Sequence, residues 1–307
     1  ADARGLQVEG EKYTPNQQEN IARNKTLANG ARYYVDHAHP EYSCPEVTRA
    51  RDLVIHEKAG ERIVEQSRRD ANRVLPPGTQ MLIYKNNSDR KGNSYGSHEN
   101  YLMDRRTSFK QIVEHLMPFF VTRQVYSGAG KVGSENRGHS CDYQLAQRSD
   151  FFETEVALDT MVKRPIINTR DEPHADREKY RRLHVIVGDS NMSEFTIWLR
   201  NGVTALVLAM IEDGAIDRDV ALRDPVRSIK EVSHDPTCKK EIETANGRRR
   251  NAVQLQMEYL EMAQRYATAR DLSGEVKDLI AEWERVLVSL ARDPMELSSE
   301  IDWVIKK

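Results

Sequence analysis

An α+β fold with a largely antiparallel sheet is the class this sequence predicts. Two observations carry it. Strand-like runs separated by turn-rich segments fill the first two-thirds of the chain, and long apolar periodicities of helical spacing fill the last third. The 307 residues suit one large domain or two, at roughly 150 residues per domain. With 38% hydrophobic and 31% charged residues the chain is polar yet well short of a disordered composition, so a core can form.

Residues 1–28 are polar and lack apolar periodicity, and are expected to form a surface loop and a short helix. The run Arg32-Tyr33-Tyr34-Val35-Asp36 is aromatic and β-branched and reads as a strand, with Pro40 and Pro45 punctuating the segment after it. From 48 to about 75 the pattern is helical, Ile55, Ala59 and Ile63 recurring every fourth residue until Pro76-Pro77-Gly78 ends it. Residues 81–84 and 95–103 read as two strands of a β-hairpin joined by the turn-rich 86–93. A helix is expected over 109–126, a strand over 142–148, an extended segment over 164–170 and a short strand over 184–188.

Asn191 with Glu194 then makes a capping box for a helix in which Leu199, Val203, Leu206, Val207 and Met210 share one face. Two more helices carry apolar faces built from Leu255, Tyr259, Met262, Ala263 and Tyr266, and from Val276, Leu279, Ile280, Trp283, Leu287 and Leu290. The domain reading is a main domain over 1–235 and a helical C-terminal region over 236–307. Both ends read as cut, the first because it starts Ala1-Asp2-Ala3-Arg4-Gly5 and the second because it stops within a helical pattern.

Charge and cysteine usage narrow the classes. Lys+Arg number 46 against 48 Asp+Glu, a net charge of −2, which excludes a domain that holds nucleic acid by phosphate neutralisation alone. The longest apolar stretch, 203–211, is far below the roughly 20 residues of a membrane span. Cys44, Cys141 and Cys238 have neither pairing nor metal-type spacing, which suits a reducing cytoplasm.

Four clusters hold chemistry-bearing side chains. The densest runs from Asp36-His37-Ala38-His39 through Glu41 to Glu46 at a strand end, where continued alternation would put Asp36 and Ala38 on one face and His37 and His39 on the other. Repeated carboxylates suit Mg²⁺ better than Zn²⁺, although surface salt bridges and caps produce the same pattern. The second spans Tyr84 to Tyr101, where His98 and Glu99 point to opposite faces so that at most one meets a given site. In the third, Arg170, Asp171, Glu172 and His174 sit on a turn fixed by Pro173, presenting a phosphate-binding guanidinium beside a carboxylate. The fourth, Gly188 to Glu194, opens a helix whose free N–H groups can receive an anion or a plain cap. There is no Walker-type loop, no G-x-S-x-G elbow and no paired C-x-x-C.

Together these stretches resemble the Pup ligase and depupylase family, relatives of glutamine synthetase. The resemblance rests on Asn29-Gly30-Ala31-Arg32, Tyr34 to Ser43, Lys58-Ala59-Gly60-Glu61-Arg62, Lys85-Asn86-Asn87, Tyr95 to Tyr101, Arg164 to Asp176 and Tyr180 to Glu194, and extends from about Asn29 to Lys307. Asp36-His37-Ala38-His39 and Gln147 to Glu153 side with the depupylase branch, the deamidase of Pup. Two departures stand out. The family's opening Glu-x-Glu-Tyr-Gly strand is absent, and Ser97 replaces a cysteine usual before His-Glu-Asn.

The resemblance implies a glutamine-synthetase-like sheet cradle packed by helices and an ATP- and Mg²⁺-dependent hydrolase. Such an enzyme removes Pup from lysines of pupylated proteins and converts the C-terminal Gln of Pup to Glu. It implies Asp36 as the catalytic aspartate, as nucleophile or as orienter of water. Glu41, Glu46 and Glu99 become the magnesium ligands, and His98, Arg170, Glu172 and His174 the ring around the phosphates. The implied partners are Pup and pupylated proteins, without nucleic acid or membrane, and the enzyme is expected to be a cytoplasmic monomer. The alternatives are a Pup–protein ligase and a truncated, non-catalytic Pup-binding module.

Overall fold

The computed structural model describes residues 24–36, 39–135, 140–158 and 163–307. They separate into two compact units, one running up to Tyr84 and the other spanning Lys85–Lys307.

In the first unit β1 (Asn24–Thr26), β2 (Arg32–Asp36) and β3 (His39–Ser43) form an antiparallel sheet in that order, followed by α1 (Ala50–Val74). Residues 24–26, expected within a loop and short helix, are thus an edge strand; residues 1–23 of that polar segment lie outside the described residues. The helix ends where Leu75 turns extended (ψ 151°), as a residue preceding proline must. Gly60 has a packing reason inside α1. A Cβ there would lie 2.3 Å from the Tyr42 ring, so this helix rests on β3 through bare backbone.

In the second unit β4 (Glu99–Asp104) is followed by α2 (Phe109–Ser127), the small pair β5 (Lys131–Val132) and β6 (Tyr143–Gln144), then β7 (Phe152–Ala157), β8 (Arg164–Asn168) and β9 (Tyr180–Val185). Next come α3 (Glu194–Glu212), α4 (Pro225–Ser233), β10 (Glu241–Glu243), β11 (Arg249–Asn251), α5 (Ala252–Ala269), α6 (Gly274–Arg292) and α7 (Asp302–Lys306). The core is centred on α2, whose Phe119, Phe120 and Tyr126 pack with Tyr259, Trp283 and Trp303 from the later helices. Gln256 of α5 donates to Thr122 Oγ1 (2.7 Å) and the Phe119 carbonyl (3.2 Å), so a buried amide ties α5 to α2 across this apolar contact. The second unit therefore runs across position 235 without a break in its packing.

The α+β class stands, with its strands in five small sheets among the described residues, four antiparallel and one, β7 with β8, parallel. The expected hairpin does not form. β4 pairs with β9 (Asn100↔His184, Leu102↔Arg182), while Met81, Leu82 and Tyr84 stay exposed and bury too little apolar surface to hold a strand. Pairing with Leu183 and Val185 instead buries Met103 and half-buries Tyr101 on one face. The strand expected over 142–148 is only β6, and the one expected over 184–188 begins earlier as β9. The capping box at Asn191 also moves, because Ser193 is the N-cap, its hydroxyl accepting from the Thr196 N–H at 3.2 Å.

The N-terminus of α3 already has its anion. Buried Asp302 accepts from the N–H groups of Met192 (2.8 Å) and Ser193 (3.2 Å) and from the Asn191 side chain (3.0 Å). Asp302→Ala removes the acceptor these donors share and is expected to cost about 1.5–3 kcal/mol, the range for hydrogen bonds to a charged group. Thermal unfolding of Asp302→Ala beside Asp302→Asn checks it, and equal melting temperatures in both variants and the parent would refute the cap. Helix α3 is also long and apolar enough to pass for a membrane span, but 72% of that stretch is buried inside the protein and it is a core helix.

Candidate functional site

In the first unit the catalytic candidate closes a strand. Asp36 is the last residue of β2 and pairs in register with His39, the first of β3; His37 and Ala38 lie outside the described residues. Tyr34 pairs with Glu41 two positions further along, so Asp36, Tyr34, His39 and Glu41 share one face of the sheet. Uninterrupted alternation would put Asp36 and His39 on opposite faces. They meet because the chain reverses after Asp36, and register partners point the same way. The Tyr34 hydroxyl donates to Glu41 at 2.7 Å, and its acidity is pushed down by burial and by the Glu41 carboxylate, so the phenol stays protonated. Asp36 is exposed at the rim, and Glu46 is exposed in the segment leading to α1.

In the second unit the outward face of β4 and β9 gathers a polar chain. Arg170 pairs with Glu172 (3.1 Å), Glu172 with Arg182 (2.8 Å), and Arg182 donates to Asn100 Oδ1 (3.0 Å). Asn100 Oδ1 also meets His184 Nδ1 at 2.9 Å, and the His184 ring stacks edge-on against His98 with centroids 4.9 Å apart. Because that oxygen only accepts, the hydrogen-bond network assigns the His184 proton to Nδ1 and leaves Nε2 with its lone pair. Burial, then Arg182 and Arg170, hold the His184 pKa down to about 4, so the ring is neutral at neutral pH. Two guanidiniums sharing one carboxylate give this face a cationic surplus suited to phosphate oxygens.

Of the residues expected around the phosphates, the structure brings His98, Arg170 and Glu172 into this chain of contacts. His174 is exposed on the turn beyond, at φ +52°, outside that chain. Asn100, Arg182 and His184 complete the group and are not among the residues that sequence reasoning selects. Their signal is present in the motifs Tyr95 to Tyr101 and Tyr180 to Glu194, but only the pairing of β4 with β9 shows that the two motifs meet.

Glu99 points inward, opposite to His98, as alternation requires. It is buried and clasped by Arg123 through both oxygens (2.6 and 3.0 Å), accepts from the Tyr101 hydroxyl (2.7 Å) and has Arg200 at 3.8 Å. Burial alone would raise its pKa, and the two arginines outweigh this to hold it below the usual carboxylate range. Among the described residues no group of three His, Cys, Asp or Glu side chains converges to hold a metal ion. Gln147 to Phe152 forms a buried hub, Gln147 Oε1 accepting from the Asn87 N–H (2.8 Å) and Asp150 meeting His234 Nε2 (2.8 Å), Gln144 (2.9 Å) and the Glu135 N–H (2.8 Å), with Glu153 exposed at its end.

Comparison with known proteins assigns the chain to a family. It belongs to the Pup-ligase family, whose model, described as Pup-ligase protein, matches residues 1–307. The fold is glutamine-synthetase-like and matches the solved Pup ligase PafA in complex with ADP, with TM-score 0.83, 38% identity and coverage of 98% of this chain and 71% of that one. It also matches PafA in complex with Pup, with TM-score 0.85, 38% identity and coverage of 95% and 61%.

Among curated relatives it is 57% identical to the depupylase of Acidothermus cellulolyticus over 99% of this chain. It is 49% identical to the Pup deamidase/depupylase of Mycolicibacterium smegmatis over 93%, and 48% to the Pup–protein ligase of Kineococcus radiotolerans over 92%. The chain spans 62%, 57% and 64% of those three proteins, about three fifths of their length.

Proposed function

We propose that this chain carries the catalytic part of a depupylase and Pup deamidase, hydrolysing the isopeptide bond between Pup and substrate lysines and converting the C-terminal Gln of Pup to Glu. The observation that carries this reading is the order of identities, 57% to a depupylase over nearly the whole chain against 48% to a ligase. The depupylase-like Asp36 to His39 and Gln147 to Glu153 support it.

In this reading Asp36 either attacks the side-chain carbonyl directly, forming an anhydride as the C–N bond breaks and the protonated amine leaves, after which water hydrolyses the anhydride and frees Asp36, or takes a proton from the attacking water. By the second route the new C–O bond forms as the C–N bond breaks, and the leaving lysine amine or ammonia carries the proton away. Asp36 is exposed at the end of β2, on the solvent side of the sheet rim. Mg-ATP, when bound, supplies positive charge and phosphate oxygens that stabilise charge developing at that amide. Glu41 and Glu46 are the proposed magnesium carboxylates, with Glu99 a third candidate that the two arginines make less available. His98, Arg170, Glu172 and His174 form the ring around the phosphates, Glu172 by holding the two guanidiniums, with Arg182 and His184 completing the face. Pup and pupylated proteins are the proposed partners of a cytoplasmic monomer.

The ligase reading draws on the Pup–protein ligases at 48% identity and on the likeness to PafA; the non-catalytic module draws on the three-fifths coverage. One experiment separates them. With a Pup–lysine isopeptide and Mg-ATP, a depupylase releases Pup without stoichiometric ADP, a ligase forms ADP only when Pup-Glu and a lysine acceptor are present, and a module does neither. Glu41→Ala and Glu46→Ala are expected to weaken Mg-ATP binding about tenfold, at the low end for metal-site carboxylates, with little change in melting temperature. Unchanged affinity by calorimetry at limiting Mg²⁺ would remove both from the metal site.

A further inference from the structure

Asn87 lies in the Lys85-Asn86-Asn87 motif and is completely buried, yet neither the proposed chemistry nor a helix or strand uses it. Both polar atoms of its side chain are engaged, by two separate segments. Oδ1 accepts from the Ser190 N–H at 2.7 Å, while Nδ2 donates to the Tyr95 carbonyl at 2.9 Å and to Ser190 Oγ at 3.2 Å. Its own N–H donates to Gln147 at 2.8 Å, and its carbonyl accepts from the Tyr95 N–H at 3.0 Å.

The two segments it joins flank the stacked imidazoles. Tyr95 lies just before His98, and Ser190 lies in the loop that follows β9 and its His184. Both flanks are tightly built. A Cβ on Gly96 would fall 2.1 Å from the His98 ring, so the chain folds that ring back over bare backbone. A Cβ on Gly188 would fall 2.6 Å from Glu99 Oε1 and 3.1 Å from the Ser97 carbonyl, so the two loops touch without a side chain between them. No close relative of asparagine repeats the bonding. Aspartate loses both N–H donors and sets a carboxylate against the Tyr95 carbonyl, glutamine is one methylene too long, and alanine leaves the Ser190 N–H and the Tyr95 carbonyl short of a buried partner.

We propose that Asn87 is a positioning residue, a buried amide knot that fixes the spacing of the His98 and His184 segments and thereby shapes the cationic face. Its consequence for ligand binding rests on the reading of that face as the nucleotide site. Asn87 touches no ligand in this scheme and acts through the two histidines.

The test uses the 307-residue chain, with imidazole proton signals assigned through His98→Gln and His184→Gln. In the parent the edge-on stack displaces ring protons by the neighbouring ring current. Asn87→Ala and Asn87→Asp are expected to return these signals to free-ring positions and to weaken Mg-ATP binding roughly tenfold by calorimetry, as losing a group that orients a binding side chain does. A role in stability alone would lower the melting temperature while leaving both readouts at parent values below the transition, and that result overturns the proposal.

If Asn87→Ala does not fold, Ser190→Ala carries the test by deleting one acceptor of the amide. The same two signals are then expected to move in the same direction by less, and parent values for both overturn the proposal. If the parent chain itself binds no Mg-ATP, the nucleotide reading fails, and the ring signals alone decide whether Asn87 sets the spacing.

Discussion

Replacing Asp36 by asparagine is expected to lower hydrolysis of a Pup–lysine isopeptide by at least about 10²-fold, the low end for removing an acid–base group. The amide keeps the shape of the side chain but has neither a basic nor a nucleophilic oxygen, so either proposed role is lost. Stability should hold within about 0.5 kcal/mol, because Asp36 is an exposed strand-end residue. The neighbouring face sharpens the test. Glu41 shares that face and is already engaged by the Tyr34 hydroxyl, so it is poorly placed to substitute as a base. Single-turnover cleavage of the isopeptide, with Pup affinity measured on the same preparation, separates chemistry from binding. Activity above about one hundredth of the parent, with Pup affinity intact, would remove Asp36 from the mechanism.

How much of this is legible in the sequence depends on the range over which each feature is encoded. Helices α1, α2, α3, α5 and α6 are readable because a 3.6-residue period is a local property. The short α4 escapes such a reading although its Asp224 cap accepts from the Arg227 N–H (2.9 Å) and Pro225 opens its first turn. Nine residues hold too few periods to register. The hairpin fails for the opposite reason, since the true partner of β4 lies beyond two long intervening segments and leaves no local trace. The motif around His98 and the motif around Arg182 and His184 are each visible, but the 84-residue separation of Asn100 and His184 hides that they form one face.

Glu99 shows the same limit at a single residue. Strand alternation predicts that it opposes His98, and the structure agrees. The two arginines that claim it, however, come from α2 and α3, and no spacing rule links a strand residue to helices packed beneath it.

That claim yields the largest expected effect on stability. Glu99 and Arg123 are only 3% and 2% exposed, and Glu99 is the carboxylate that Arg123 and Arg200 both face. Glu99→Gln keeps the shape but leaves two guanidiniums buried around a neutral amide, and breaking a buried pair from one side costs about 3–5 kcal/mol. At about 2–4 °C per kcal/mol for a unit of this size, the melting temperature should fall by about 10 °C. The double variant Glu99→Gln, Arg123→Met removes one of the stranded cations and should recover part of that loss, a non-additivity expected only of groups in contact.

The acid limb gives an independent check. Since the folded-state pKa of Glu99 is depressed, its contribution to stability is complete above the unfolded value, about 4.3, and is lost as pH falls through the lower folded value. Glu99→Gln should therefore be destabilised most at neutral pH and converge on the parent in acid. A magnesium ligand would behave differently, losing Mg-ATP affinity at an unchanged melting temperature. Thermal unfolding across pH beside nucleotide calorimetry on one set of variants decides between the two, and a parent-like melting temperature in Glu99→Gln would return the residue to the metal site that its motif implies.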